Sequence, residues 1–171
     1  RPYLNAKKVP QIFLAAAHDS FAQPDKFPWS MGWQPTLRSE SGFYARHILA
    51  NHPNAKIGVL YQDDDFGKEM LAGLKAGLGD KAAMVVAAES YQATDPTVDS
   101  QIVTMKGSGA DTAMLFTYSK QAAQAIRKIA DIGWKPDTYL HLGSASVGAT
   151  LQPAGLDKSV GIKTAACSTF A

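Results

Sequence analysis

Three consecutive carboxylates, Asp63-Asp64-Asp65, stand where an apolar run, Ile57–Tyr61, gives way to a glycine-marked turn and then a helical pattern. Clustered carboxylates supply the oxygen ligands that Mg2+ prefers, so the turn is a candidate for a receiver domain or an aspartate-based phosphotransferase. Such a centre also needs a hydroxyl after one strand and a lysine after another to neutralise phosphate charge. Thr117, Ser119 and Lys120 follow a later apolar run, but no lysine stands at the next strand end, where His141-Leu142-Gly143-Ser144 lies. The competing reading gives one aspartate to capping the following helix, favoured by the positive N-terminal dipole, and leaves the others solvated.

Other chemistries find less. The turn DDDFGKE has one glycine and is acidic, so it is neither a P-loop nor a GxGxxG dinucleotide turn, and no cofactor is expected. His18, His47, His52 and His141 lack metal-ligand spacing, and with no cysteine pair to support them no metal site is assigned. His47 and His52 read as helix-surface and helix-end residues, whereas His18 follows a buried strand and is divided between packing and a site. Gly143-Ser144-Ala145-Ser146 has only the small-residue flavour of a nucleophile elbow, and no catalytic residue is assigned. Ser144 and Ser146 can either hydrogen-bond a ligand from a strand-end loop or serve an ordinary turn. Phe66 and Tyr118 each stand just past an apolar run. An aromatic there can staple its helix or line a ligand crevice, because open α/β sheets bind ligands outside the carboxyl ends of their strands. Tyr118 adds a hydroxyl to its ring.

Apolar runs alternating with helical patterns must position these residues. Val9–Ala17 reads as a short buried strand, and His18–Gln34, punctuated by Pro24, Pro28 and Pro35, reads as a connection that carries Trp29 and Trp33. A helix is expected over Thr36–Asn51, with Phe43, Ile48 and Leu49 inward and Ser39 or Ser41 near its start. A strand Lys56–Tyr61 follows, then a helix Gly67–Leu78 closed by Gly79-Asp80. A strand Ala82–Glu89 precedes a helix that Thr97 can cap, with Val98, Ile102 and Met105 repeating at i, i+4 and i+7. The strand Thr112–Phe116 leads to a helix Gln121–Ile132 with Ala122, Ala125, Ile126 and Ile129 on one face, and Trp134 packs just beyond it. Two strands, Thr138–Leu142 and Val160–Ala166, flank a loop Ser144–Asp157 with one helical turn. Strands separated by helices of this length imply parallel crossovers and an α/β fold, a three-layer α/β/α sandwich with a mainly parallel sheet.

The bulk composition agrees. The 171 residues, 46% hydrophobic, suffice for one full core. Seventeen Lys+Arg against fifteen Asp+Glu give a charge of +2 scattered along the chain, so nucleic-acid binding is unsupported. No apolar stretch approaches the ~20 residues needed to span a bilayer. Arg1-Pro2 is neither an initiator methionine nor a signal peptide, which suggests an excised or processed piece. The lone Cys167 forms no internal disulfide and reads as a small residue packed near the last strand.

KIGVLYQDDDFGKEMLAGLKAGL, the helix TVDSQIVTMKGSGAD leading into TAMLFTYSK, QAIRKIADIGWKP and GLDKSVGIKTAA together resemble the type I periplasmic substrate-binding proteins of the branched-chain amino-acid (leucine/isoleucine/valine) class of ABC importers. The order of elements agrees from about Val9 to Ala166. The resemblance implies a non-enzymatic, two-lobed protein that closes on a small solute and docks on a membrane permease in the periplasm. Residues 1–35 would be the end of the first lobe and the crossing, and residues 36–171 an incomplete second lobe. With half of the crevice missing, the isolated piece should bind poorly and expose apolar surface that favours self-association.

By position, the resemblance sets Phe66 and Tyr118 against the ligand, and Ala17 and His18 in the turn that helps hold a ligand carboxylate. It sets Ser144, Ala145 and Ser146 in the loop where amino-acid binders carry a glutamate for the ligand's ammonium group. Here that loop has no acid. An unpaired ammonium in a dry crevice is costly, so an aromatic or aliphatic carboxylate, or an amide, fits better than an α-amino acid. Two other readings stay open: the Mg2+-dependent centre at Asp63–Asp65, and a sensory ligand-binding domain of the same fold.

Overall fold

The computed structural model describes residues 1–15 and 17–166; the expectation for Cys167 lies outside them. In chain order the elements are α1 (Pro2–Ala6), β1 (Gln11–Leu14), β2 (Ser30–Gly32), α2 (Leu37–Asn51), β3 (Ile57–Gln62), α3 (Asp65–Leu78), β4 (Val85–Tyr91), α4 (Asp99–Gly107), β5 (Thr112–Phe116), α5 (Ser119–Asp131), β6 (Asp137–Leu140), α6 (Gln152–Ala154) and β7 (Lys163–Thr164).

The main sheet has the order β4-β3-β5-β6-β7 with every pairing parallel. β3 and β5 are central, and their side chains alternate between two cores because successive residues of a strand face opposite sides. Ile57, Val59, Met114 and Phe116 join α2 and α3 on one face, while Leu60, Ala113 and Leu115 join α4 and α5 on the other. Those are the three expected layers, built as a parallel sheet must be, with helices over both faces.

α2 and α3 approach closely because small residues line their contact. A Cβ on Gly73 would come within 2.2 Å of Ser41 Oγ and 2.8 Å of Arg38 Cα, and one on Gly77 within 2.7 Å of Ala45 Cβ.

Several boundaries differ from the sequence reading. Thr36, not Ser39 or Ser41, caps α2, its hydroxyl accepting the Ser39 N–H at 3.2 Å. Phe43 is 54% exposed, because the inward stripe of α2 runs through Leu37, Ser41, Tyr44 and Ile48. Residues 79–84 form a helical turn that takes in Ala82–Met84, the expected start of the next strand, since so short a run carries no periodicity that separates helix from strand. The last strand shrinks to Lys163–Thr164, preceded by Gly161 at φ +86°.

The segment before α2 forms its own two-stranded parallel sheet, β1 with β2. Its apolar side chains are largely uncovered: Ile12, Phe13, Met31 and Trp33 are all about half exposed or more. The carbonyl of Ala17 accepts the Leu37 N–H at 2.8 Å, and Arg38 Nε donates to Asp19 Oδ2 at 2.7 Å, which ties this segment to the start of α2.

Candidate functional site

β3 and β5 are neighbours whose chains leave in opposite directions along the sheet, β3 to β4 on one side and β5 to β6 on the other. Between two such strands the outgoing loops splay apart at the carboxyl ends and leave a crevice. Phe66, in the first turn of α3, and Tyr118, the residue before α5, stand there with ring centroids 4.9 Å apart. Asp64 sets the first by capping α3, its Oδ1 accepting the Gly67 N–H at 3.0 Å. Tyr91 sets the second, its phenol oxygen accepting the Tyr118 N–H at 3.3 Å from the end of β4. Phe66 is 9% exposed and Tyr118 49%, so one ring belongs to the wall and the other overhangs it.

The rings border a cavity of about 430 Å³. Its remaining walls come from the segment before α2 (Ala15, Ala17, His18, Gln34, Pro35), from α2 (Leu37, Glu40, Phe43), from the end of β6 (His141, Leu142, Gly143) and from the residues after β7 (Ala165, Ala166). Four of the residues singled out in the sequence, Phe66, Tyr118, Ala17 and His18, thus share one cavity. Ser144, Ala145 and Ser146 are not among its lining residues. The buried Ser144 hydroxyl donates to the Thr117 carbonyl, Ala145 packs against the α4/α5 core, and the Ser146 hydroxyl accepts the Ala149 N–H at 3.3 Å.

His18 Nδ1 accepts the Ser20 N–H at 3.2 Å, and its Nε2 lies 3.6 Å from Glu69 Oε2. Glu69 Oε1 accepts the Asp19 N–H at 3.1 Å, whereas Oε2 is buried with no hydrogen-bond partner among the described residues. Burial pushes the Glu69 carboxyl up, outweighing the Asp19 amide that donates to it.

Glu40 and His141 are residues the sequence reading did not single out for the site. Glu40 is buried at the cavity wall, where Oε1 accepts from Tyr44 Oη at 2.8 Å, the Leu142 N–H at 2.8 Å and His141 Nδ1 at 3.0 Å. Burial alone would raise this carboxyl, but His141, the Leu142 amide and Tyr44 outweigh it and hold it below its ordinary value. The available signal was an acid on the inward stripe of α2, three residues after Leu37 and four before Tyr44. A buried acid must be paired, and this one finds its partner 101 positions later.

Asp63–Asp65 lie outside the cavity lining. Asp63 pairs with Lys68 at 2.7 Å and accepts from Gln92 at 2.9 Å, Asp64 is the helix cap, and Asp65 sits in the first turn of α3. Among the described residues no group of three or more His, Cys, Asp or Glu is placed to hold a metal ion.

The family model described as periplasmic binding protein matches residues 1–167. The chain belongs to that family. This family member is 24% identical over 98 residues to the Leu/Ile/Val-binding protein homolog 7 of Brucella abortus (strain 2308), an alignment covering 57% of this chain and 24% of that protein. Among solved structures, a substrate-binding periplasmic protein from Ralstonia solanacearum superposes with a TM-score of 0.78 at 22% identity, covering 93% of this chain and 44% of the other. A periplasmic binding protein type 1 from Bordetella pertussis Tohama I gives a TM-score of 0.78 at 16% identity, over 95% of this chain and 44% of the other. An extracellular ligand-binding receptor from Rhodopseudomonas palustris HaA2 gives 0.78 at 21% identity with the same coverage. The chain therefore spans less than half the length of the relatives it matches.

Proposed function

We propose that the chain is a solute-binding portion of an ABC importer, acting in the periplasm and delivering a small organic solute to a membrane permease. Residues 1–35 are the end of a first lobe and its crossing, and residues 36–171 are an incomplete second lobe. The reading is carried by the cavity at the β3/β5 strand ends, where Phe66 and Tyr118 face Ala17 and His18 of the crossing segment. A ligand there would contact both parts of the chain, which is the arrangement that lets binding drive hinge closure. The uncovered Ile12, Phe13 and Trp33 favour self-association of the isolated piece.

The solute is an aromatic or aliphatic carboxylate, or an amide, in preference to an α-amino acid. Three aromatic rings and two imidazoles border the cavity, and the one acidic side chain among its described lining residues, Glu40, is already engaged by Tyr44, Leu142 and His141. An ammonium group would find no uncommitted carboxylate in this wall, and its burial unpaired is costly. The test is a thermal-shift screen of the full-length parent protein against benzoate, phenylacetate, isovalerate, their amides, and leucine and phenylalanine. Acids or amides should raise Tm; stabilisation by the amino acids alone overturns the assignment.

A further inference from the structure

Resting on the solute-binding reading above, we propose that His141 receives the solute's carboxylate at Nε2 and takes up a proton as it does so, with Glu40 as the residue that positions its ring. Nδ1 lies 3.0 and 3.1 Å from the two oxygens of Glu40. Glu40 is held below its ordinary value, so over the neutral range it is ionised and only accepts, and Nδ1 carries a hydrogen. That fixes the neutral tautomer, with its lone pair at Nε2. Nε2 has no hydrogen-bond partner among the described residues, and it lies over Gly143 in the cavity wall. A Cβ at position 143 would come within 2.6 Å of it. The Phe66 ring packs against the same imidazole, centroid to centroid at 4.8 Å, so a solute contacting Phe66 also lies beside His141.

The charge balance then dictates the proton. A neutral His141 bonded to Glu40 presents a lone pair at Nε2, which repels a carboxylate, and the ionised Glu40 behind it repels a second anion. With a proton from solvent on Nε2 the His141–Glu40 pair is neutral overall, and an N–H donor faces the solute. No bond to carbon changes; one proton moves from bulk water to Nε2. Other groups facing the ring do not substitute for it over the neutral range. Tyr44 is held well above its ordinary value by burial and the Glu40 charge, and burial with the Asp64 charge raises Tyr118, so both stay neutral. His18 borders the same cavity with Glu69 behind it and is the one rival proton acceptor.

The test is isothermal titration of the full-length parent with benzoate, phenylacetate and isovalerate, each against its amide. Titrations in phosphate and in Tris at pH 6, 7 and 8 give the protons taken up per solute. We expect uptake that rises toward one per carboxylate at pH 8, none for the amides, and carboxylate affinity that falls as pH rises by up to about tenfold per unit. His141→Gln, which keeps a donor near Nε2, should abolish the uptake and flatten the pH profile. Glu40→Gln should lower the uptake; uptake that is lost in His18→Gln and kept in His141→Gln overturns the inference. A charge-assisted hydrogen bond of this kind corresponds to roughly 10- to 100-fold in affinity, the loss expected in His141→Phe at pH 6. If carboxylates bind with uptake unchanged in His141→Gln, or with affinity indifferent to pH, the inference fails while the solute-binding reading stands. Binding of amides but not acids has the same consequence. Binding of neither overturns both.

Discussion

Phe66 and Tyr118, 52 positions apart in the chain, meet ring to ring at 4.9 Å because each follows one of the two central strands at the point where the sheet changes direction. Their exposures separate what each contributes. Phe66 is part of the α2/α3 core, so Phe66→Ala should cost about 3–5 kcal/mol of folding stability in urea denaturation. Tyr118 overhangs the cavity, so Tyr118→Ala should cost about 1 kcal/mol, close to the worth of the ring pair, yet weaken solute binding by about tenfold or more. Equal stability losses, or unchanged solute affinity in Tyr118→Ala, would contradict this division.

The α2/α3 contact makes a second prediction of opposite signs at two glycines. A Cβ on Gly73 meets Ser41 Oγ at 2.2 Å and the Arg38 backbone at 2.8 Å, so Gly73→Ala should destabilise by about 1–3 kcal/mol through overpacking. A Cβ on Gly42, in the facing helix, meets nothing within 4 Å. Gly42→Ala should therefore stabilise by about 0.5–1 kcal/mol, the helix-interior cost of glycine being removed without a clash. Thermal melts of the two variants, side by side, decide it.

The sequence was readable where one local cause dominated. β5 is buried along its whole length, so it showed as an unbroken apolar run and its bounds match the expected Thr112–Phe116. The inward faces of α4 and α5 repeated at helical spacing, and Val98, Ile102, Met105, Ala122, Ala125, Ile126 and Ile129 are all buried. Trp134 packs as expected, with Nε1 donating to the Ala110 carbonyl at 3.1 Å. Phe43 failed because apolar character was read as burial, whereas the ring lies beside the inward stripe, with the Arg46 guanidinium 4.5 Å from its centroid. The Glu40–His141 pair has no local signature at all, since two polar residues on separate elements reveal nothing until the fold brings them together. The small residues at Gly143–Ser146 were legible as a strand-end loop, but which hydroxyl turns inward depends on the Thr117 carbonyl, 27 positions away.

Asp64 supplies a third prediction. Its Oδ1 accepts the Gly67 N–H at 3.0 Å and its Oδ2 accepts from Gln62 at 2.5 Å, so the carboxylate is spent on the helix start. Asp64→Ala should cost about 0.5–2 kcal/mol, and Asp64→Asn much less, since asparagine caps nearly as well. Mg2+ with beryllofluoride should leave Tm where it was. A clear rise in Tm that Asp64→Ala abolishes would restore the phosphotransfer reading.

Glu40 and Glu69 should give the pH dependence of stability two opposed contributions. Glu40 is held below its unfolded value, so the folded state binds its proton less readily; its contribution is present above the unfolded pKa and lost as pH falls through the folded one. Glu69 is raised by burial, so the folded state binds its proton more readily; its contribution is present below the unfolded pKa and lost as pH rises through the folded one. Glu40→Gln breaks a buried charged network and should cost about 3 kcal/mol at neutral pH while flattening the acid limb of the stability curve. Glu69→Gln keeps an oxygen for the Asp19 N–H and removes a charge whose second oxygen is buried without a partner. It should therefore be neutral or stabilising at pH 7 and nearly neutral at pH 4, where the wild-type carboxyl already carries its proton. Urea titrations of the three proteins across pH 3.5–8 separate the two groups, because both slopes follow from the sign of the proton difference between folded and unfolded chains. A Glu69→Gln variant that loses stability at pH 7 but not at pH 4 would mean that the ionised carboxylate is held by His18, 3.6 Å away, more strongly than burial opposes it.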